Sequence, residues 1–224
     1  MNLYYLTFRL QSDSLFGRGD GVAGLVDAEV KHDSYGCPYF GGRTIKGILV
    51  NECADILAAL PPLARSTWEG AALSLFGQPG SSDDDAALLR IGPAQLPQEL
   101  RSAIRQDMDA ERPSLTRESV LNSLTALRRE TAIDPHTGVA DDHTLRTMRM
   151  ILRQTVFEAE LNLLTDTNET QKRQLLLLAA CVKAFRRVGT SRNRGHGRLR
   201  DVALLDGDRQ PILESLFMQF CQEV

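Results

Sequence analysis

Residues 3–10 alternate without a break: Tyr4, Leu6, Phe8 and Leu10 share one face of an extended chain, and Leu3, Tyr5, Thr7 and Arg9 the other. A period of two is the mark of a strand buried on one side only. The pattern returns at 156–164, where Phe157, Ala159, Leu161 and Leu163 face one way. Each strand is followed by an apolar stripe at helical spacing. The first stripe, at about 44–60, uses Ile45, Ile48, Leu49, Cys53, Ile56, Leu57 and Leu60, with Thr44 as N-cap and Pro61-Pro62 as the end. The second, at about 169–187, uses Leu175, Leu178, Ala179, Val182 and Phe185. Shorter strands at 88–96, interrupted by Gly92-Pro93, and at 199–205 complete two strand–helix–strand halves. This order predicts an α+β fold with a ferredoxin-like or RRM-like βαββαβ core, helices on one face of an antiparallel sheet.

Everything else is inserted into or appended to that frame, so residues 1–224 read as one domain. Residues 97–129 predict a helical insertion, with helices at 97–107 and 116–129. Residues 130–155 place turn residues before an Arg/Met-rich run and predict a protruding hairpin, the alternative being an ordinary surface loop. A last helix starts near Pro211. No apolar run approaches the roughly 20 residues of a membrane helix. The first residues lack the charged start and apolar centre of a signal peptide, so the expected setting is the cytoplasm, without a membrane partner. The four cysteines form no CxxC pair, and Cys53 and Cys181 fall on apolar stripes as core residues. His136 and His143 stand among Asp134, Asp141 and Asp142, but their spacing matches no standard set of metal ligands.

Two segments carry chemistry. Lys183–Arg200 contains Arg186, Arg187, Arg192, Arg194, Arg198 and Arg200 with His196 and no acidic residue, and Gly189, Gly195 and Gly197 are threaded through it. Arginine forks suit phosphate, and glycines allow a partner to approach the backbone and permit positive φ; a solvated basic surface is the plainer reading. The second segment, Gly41-Gly42-Arg43-Thr44-Ile45-Lys46-Gly47, opens the first helix, where free N–H groups and the helix dipole favour an anion. It lacks the spacing of a Walker P-loop. The whole chain has a net charge of −3. Arg186 to Arg200 alone carry +6, leaving −9 elsewhere, so the total is an average over regions of opposite sign.

Taken in order, these segments resemble the CRISPR-associated RAMP superfamily. Phe16-Gly17-Arg18-Gly19-Asp20-Gly21, then Asp27 and Asp33, then the turn from Gly36 through Pro38 to Gly47, are similar to the family's N-terminal signature. Gly41 replaces a usual proline, and Arg43 a small polar residue. Gly189 to Arg198 is similar to the family's glycine-rich loop, and 130–140 ahead of Val156 to its inserted thumb.

The resemblance implies an RRM-like core that binds guide (CRISPR) RNA and assembles with other RAMP-type subunits, including further copies of itself, in a type III effector complex. The length and the arm around Asp27 look most like the backbone-type subunits, in which an arm aspartate cuts the paired target RNA. Asp27 takes that role by its spacing from Asp33, which is read as stabilising the turn before Gly36; a plain loop carboxylate is the alternative for Asp27. Arg18, Gly42, Arg43, Thr44, Lys46, Arg192, Asn193, Arg194, Gly195, His196 and Arg198 are the RNA-binding candidates. A weakly held divalent metal, Mg2+, is the implied cofactor for cleavage, with its ligands undefined. Two other readings stay open: a non-catalytic guide-binding or capping subunit, and a stand-alone RRM-like RNA-binding protein. The second lacks the usual aromatic pattern for base stacking.

Overall fold

Strand β1, Asn2–Leu10, lies inside a four-stranded sheet in which every neighbouring pair is antiparallel. A computed structural model describes residues 2–17, 21, 26–77, 87–134, 136–140, 144–164 and 168–224. The other strands of this sheet are β2 (Leu89–Ile91), β5 (Val156–Leu163) and β6 (Leu199–Leu205), in the order β2-β5-β1-β6. This is the ferredoxin-like arrangement that the two strand–helix–strand halves predict. Its register puts Leu6 opposite Ala159 and Phe8 opposite Phe157, so the buried faces of β1 and β5 coincide. Phe8 sits at the centre, with ring centroids 5.8 Å from Phe40, 5.7 Å from Phe157 and 5.6 Å from Phe185. Strand β2 stops at Gly92-Pro93, and the chain then continues through single bridges, Ala94 to Phe40 and Gln95 to Glu158.

The helical face is thicker than the periodicity suggests. Helix α1 (Gly42–Ala59) begins two residues before the expected cap: Gly41 is the N-cap, without a side-chain bond, and Thr44 lies inside the first turn. Pro61-Pro62 does end it, but Pro62 is also the first residue of helix α2 (Pro62–Phe76), which the sequence patterns do not predict. Helix α5 (Asn168–Ala184) packs against α1, α2 and the C-terminal helix α6 (Leu213–Glu223). Residues 176–182 of α5 are therefore all buried, although its pattern predicts a single stripe. Trp68 of α2 lies 4.8 Å from Phe220 of α6 and locks the outer pair.

The insertion differs at one boundary. Helix α3 (Gln98–Met108) is followed by helix α4, which covers only Arg117–Leu124 and is capped by a reciprocal Thr116–Ser119 box. The chain then turns into strand β3, Thr125–Glu130, which pairs with β4, Arg146–Ile151. The expected helix over 116–129 thus ends five residues early. Leu127, spaced helically from Val120, Leu121 and Leu124 in the sequence, is 45% exposed on β3. The hairpin starts at Thr125 rather than 130 and ends at Ile151. Among the described residues, no helix is long and apolar enough to cross a membrane.

Candidate nucleic-acid interface

The basic segment between α5 and β6 is a loop folded back on residues 11–15. Val188 N–H donates to Gly197 O at 2.8 Å, Gly197 N–H to Asp13 O at 3.0 Å, and Thr190 N–H to Leu15 O at 3.0 Å. Ser12 Oγ donates to Gly195 O and accepts from Arg198 N–H, both at 2.9 Å. Gly189, Gly195 and Gly197 all have positive φ (79°, 85° and 65°), as does Ser191 at 55°. Their roles divide. A Cβ on Gly197 would meet Val188 O at 1.8 Å, and one on Gly189 would meet Leu15 O at 2.6 Å, so these two glycines admit the chain's own backbone. Gly195 has nothing within 4 Å and is the one of the three open to a partner.

Part of the loop's charge is already matched. Arg194 is 3.6 Å from Glu130, and the partly buried His196 Nε2 lies 2.8 Å from the other oxygen of the same carboxylate. Arg200 bonds to Gln154 and lies 3.7 Å from Asp201; Arg187 donates to Arg192 O. Arg186 and Arg192 lie close enough to Glu52 of α1 to favour its charged form, although burial and the neighbouring Asp55 carry its pKa above the ordinary value. Asn193 is exposed. Arg198 is exposed, and among the described residues its side chain has no ion-pair partner.

The start of α1 is a separate surface. Arg43 and Thr44 are exposed and Lys46 half-buried there, at a helix start with no side-chain cap. Gly42 has a packing role, since its Cβ would meet Ile91 O at 2.0 Å. The loop reaches α1 at Glu52, about 12 Å along the axis from Thr44 at 1.5 Å per residue. Arg18 lies outside the described residues, as do Asp141, Asp142 and His143. Asp134 serves the hairpin tip instead: its Oδ1 accepts from His136 N–H at 2.7 Å, which holds its pKa below the ordinary value.

Asp27 is exposed and sits on an arm that adds to the free edge of β4. Asp27 N–H donates to Thr147 O at 2.7 Å, Thr147 N–H donates to Asp27 Oδ2 at 2.6 Å, and Arg149 N–H donates to Ala28 O at 3.0 Å. Asp33 forms the following turn, accepting from Tyr35 N–H and Cys37 N–H at 2.9 Å each. Gly36 closes it at φ 83°, where a Cβ would meet Arg117 O at 2.2 Å.

The hairpin base therefore joins the two charged regions: the arm pairs with β4 at Ala28, and the glycine-rich loop is tied to β4 through Asp13 and Ser14 and to β3 through the Glu130 side chain. The residues that tie this together carry no motif in the sequence. Asp13 accepts from Arg128 of β3 at 2.6 Å and from Arg153 N–H at 2.9 Å. Burial opposes ionisation of Asp13, but these donors outweigh it and hold its pKa below the ordinary value. Glu130 holds the loop, and the buried pair Glu29–Arg149 joins the arm to β4. Charges paired across 66 to 120 residues leave no local pattern to read.

Among the described residues, no group of three or more His, Cys, Asp or Glu side chains is placed to hold a metal. The carboxylate of Asp27 can supply one oxygen, Oδ1, to an outside cation, because the Thr147 N–H is directed to Oδ2.

A family model described as the RAMP superfamily matches residues 7–200. Among solved structures, one similar chain comes from a type III-B Cmr-beta bound to cognate target RNA, seen by cryo-electron microscopy. It is 13% identical, with a TM-score of 0.62, covering 96% of this chain and 98% of that one. Another, from type III-B Cmr-beta in the apo state, is 11% identical, with a TM-score of 0.59 and coverages of 92% and 97%. No curated protein sequence matches.

Proposed function

Because the chain belongs to the RAMP superfamily, we propose that it is a guide-RNA-binding backbone subunit of a type III CRISPR effector complex, and that Asp27 cuts target RNA paired to the guide. One observation supports this above the others: a single hairpin base holds both the exposed Asp27, bonded to Thr147 of β4, and the arginine loop, held to Glu130 of β3. The fold shared with Cmr chains, one of them in a complex bound to target RNA, supports the setting. The partners are then the guide, its complementary target and neighbouring RAMP-type subunits, further copies of this chain among them, in the cytoplasm. Guide phosphates would lie along Arg192, Asn193, Arg194, Gly195, His196 and Arg198, with Arg43, Thr44 and Lys46 at the start of α1 as a second contact.

Cleavage requires a ribose 2′-hydroxyl to attack the adjacent phosphorus in line, a geometry that a protruding hairpin can impose by splaying one nucleotide. Asp27 Oδ1 takes the hydroxyl proton as the O2′–P bond forms and the P–O5′ bond breaks, leaving a 2′,3′-cyclic phosphate and a 5′-hydroxyl protonated by water, while Thr147 N–H fixes the carboxylate through Oδ2. A lone carboxylate also fits Mg2+, which commonly binds through one or two carboxylates together with substrate phosphates and neutralises charge on the phosphoryl oxygens. General bases contribute roughly 10²–10⁴-fold. Asp27→Ala in the assembled complex should lower target cleavage by about that factor and leave guide affinity unchanged. Undiminished cleavage removes the catalytic assignment.

The same Thr147–Asp27 bond favours a second reading, in which Asp27 only closes the arm onto the hairpin and the subunit binds or caps the guide without cutting. Native mass spectrometry separates the roles, because a backbone subunit is present in several copies and a cap in one. A stand-alone RRM-like protein is disfavoured by the open sheet face. There Arg209 lies 4.3 Å over the Tyr5 ring and forks onto Glu158 at 2.7 and 2.9 Å, covering a surface that base stacking would need.

A further inference from the structure

Glu29 and Arg149 are both nearly enclosed, at 4% and 8% exposure, and both belong to segments that carry the candidate catalytic geometry. Arg149 Nε lies 3.1 Å from the Glu29 carboxylate, whose Oε1 also accepts from Val30 N–H at 2.9 Å. The other arm of the guanidinium donates to Asn122 Oδ1 of α4 at 2.9 Å and to Thr125 Oγ1, at the start of β3, at 3.3 Å. Thr125 in turn donates to Leu121 O at 2.6 Å. One buried cation thus joins the arm, α4 and both strands of the hairpin.

Position makes the pair more than a brace. Glu29 is two residues beyond Asp27 on the extended arm, and Arg149 is two residues beyond Thr147 on β4. The arm and β4 meet in parallel at Ala28 and Met148. Two rungs therefore cross the same junction: Asp27 with Thr147, exposed, and Glu29 with Arg149, buried. In extended chain a slip of one residue turns every side chain to the other face. The exposed rung has one backbone bond, which another register could make as well, and one bond from Thr147 N–H to the solvent-exposed Asp27 carboxylate. The buried rung cannot slip, because an ion taken from water must keep its partner.

We propose that Glu29 and Arg149 are positioning residues, a buried register pin that holds Asp27 on the cleaving face of the hairpin base. The proposal rests on the reading of Asp27 as the cleaving carboxylate, and its test separates the two. The informative variant is Glu29→Gln combined with Arg149→Met, which removes both charges together and leaves no unpaired ion to unfold the chain. Arg149→Lys keeps the charge but cannot fork to Glu29, Asn122 and Thr125. Three measurements are made on the assembled complex with guide: single-turnover cleavage of a complementary RNA, guide affinity, and hydrogen exchange at the Thr147 amide.

The double variant should assemble, bind guide as before, cut roughly 10- to 100-fold more slowly, and exchange Thr147 faster; Arg149→Lys should fall short of full activity. Wild-type cleavage with Thr147 still protected in the double variant overturns the pin. So does failure of the double variant to assemble, which would make the pair a folding determinant. Asp27→Ala is run alongside. If it cuts like the wild type, the catalytic reading is lost, and Thr147 exchange in the pair variants still decides whether the register depends on the pin.

Discussion

Asp13 bonds to three places at once. Its backbone O accepts from Gly197 of the glycine-rich loop, its Oδ2 from Arg128 of β3, and its Oδ1 from Arg153 N–H at the β4–β5 turn. The side chain is 13% exposed, so burial raises the energy of the charged form, yet the donors overcome this and depress the pKa. The sign of the linkage follows. A carboxylate more acidic in the folded chain contributes stability above its ordinary value of about 3.9 and loses it as pH falls through the lower folded value. Asp13→Asn should cost roughly 1.5–3 kcal/mol near neutral pH, as loss of hydrogen bonds to a charged group does. The deficit should shrink below about pH 4. Denaturant midpoints of both proteins across pH test this; a deficit that stays constant down to about pH 2, well below the ordinary carboxylate value, would show that shape, rather than charge, holds the three segments.

At the scale of elements, α2 separates what a sequence can convey from what packing adds. Two alternating strands and two apolar stripes suffice to predict the antiparallel core, because each pattern is local to one element. Helix α2 has a weak stripe of Trp68, Ala71, Leu75 and Phe76, and it opens on the proline that ends α1. Its existence is decided by α5, whose buried outer side needs a cover, and that demand is not visible in residues 62–76 themselves. The hairpin boundary was hidden for a related reason: Val120, Leu121, Leu124 and Leu127 keep helical spacing across a junction where Thr125 already pairs with Ile151. Trp68, the chain's one tryptophan, is 1% exposed against Phe220. Replacing it with alanine should remove about 3–5 kcal/mol, measured by urea unfolding followed by circular dichroism. A change in stability under about 1 kcal/mol, far below the usual cost of such a truncation, would mean that α2 docks without it and that α5 is covered in some other way.

For the whole molecule, the net charge of −3 conceals a basic loop whose own field is partly cancelled in the fold. The run of arginines was legible in the sequence, but its neighbours were not. Glu130 arrives from the hairpin and Glu52 from α1, and they reduce what Arg194, Arg186 and Arg192 can offer a phosphate. Arg198 has no such counterion among the described residues, so the six arginines should not be equivalent toward RNA. Counterion release turns this into a number: removing one cation that neutralises a phosphate lowers the slope of log affinity against log salt by about 0.7 for a single strand. Arg198→Ala should lower the slope for guide RNA by close to that amount. Arg194→Ala should lower it by less, because Glu130 already offsets part of that arginine's charge before RNA arrives. Filter binding of a labelled guide over a salt series compares them. Equal reductions would mean that the Arg194–Glu130 ion pair breaks when RNA arrives, and unchanged slopes for both would take the loop out of the interface.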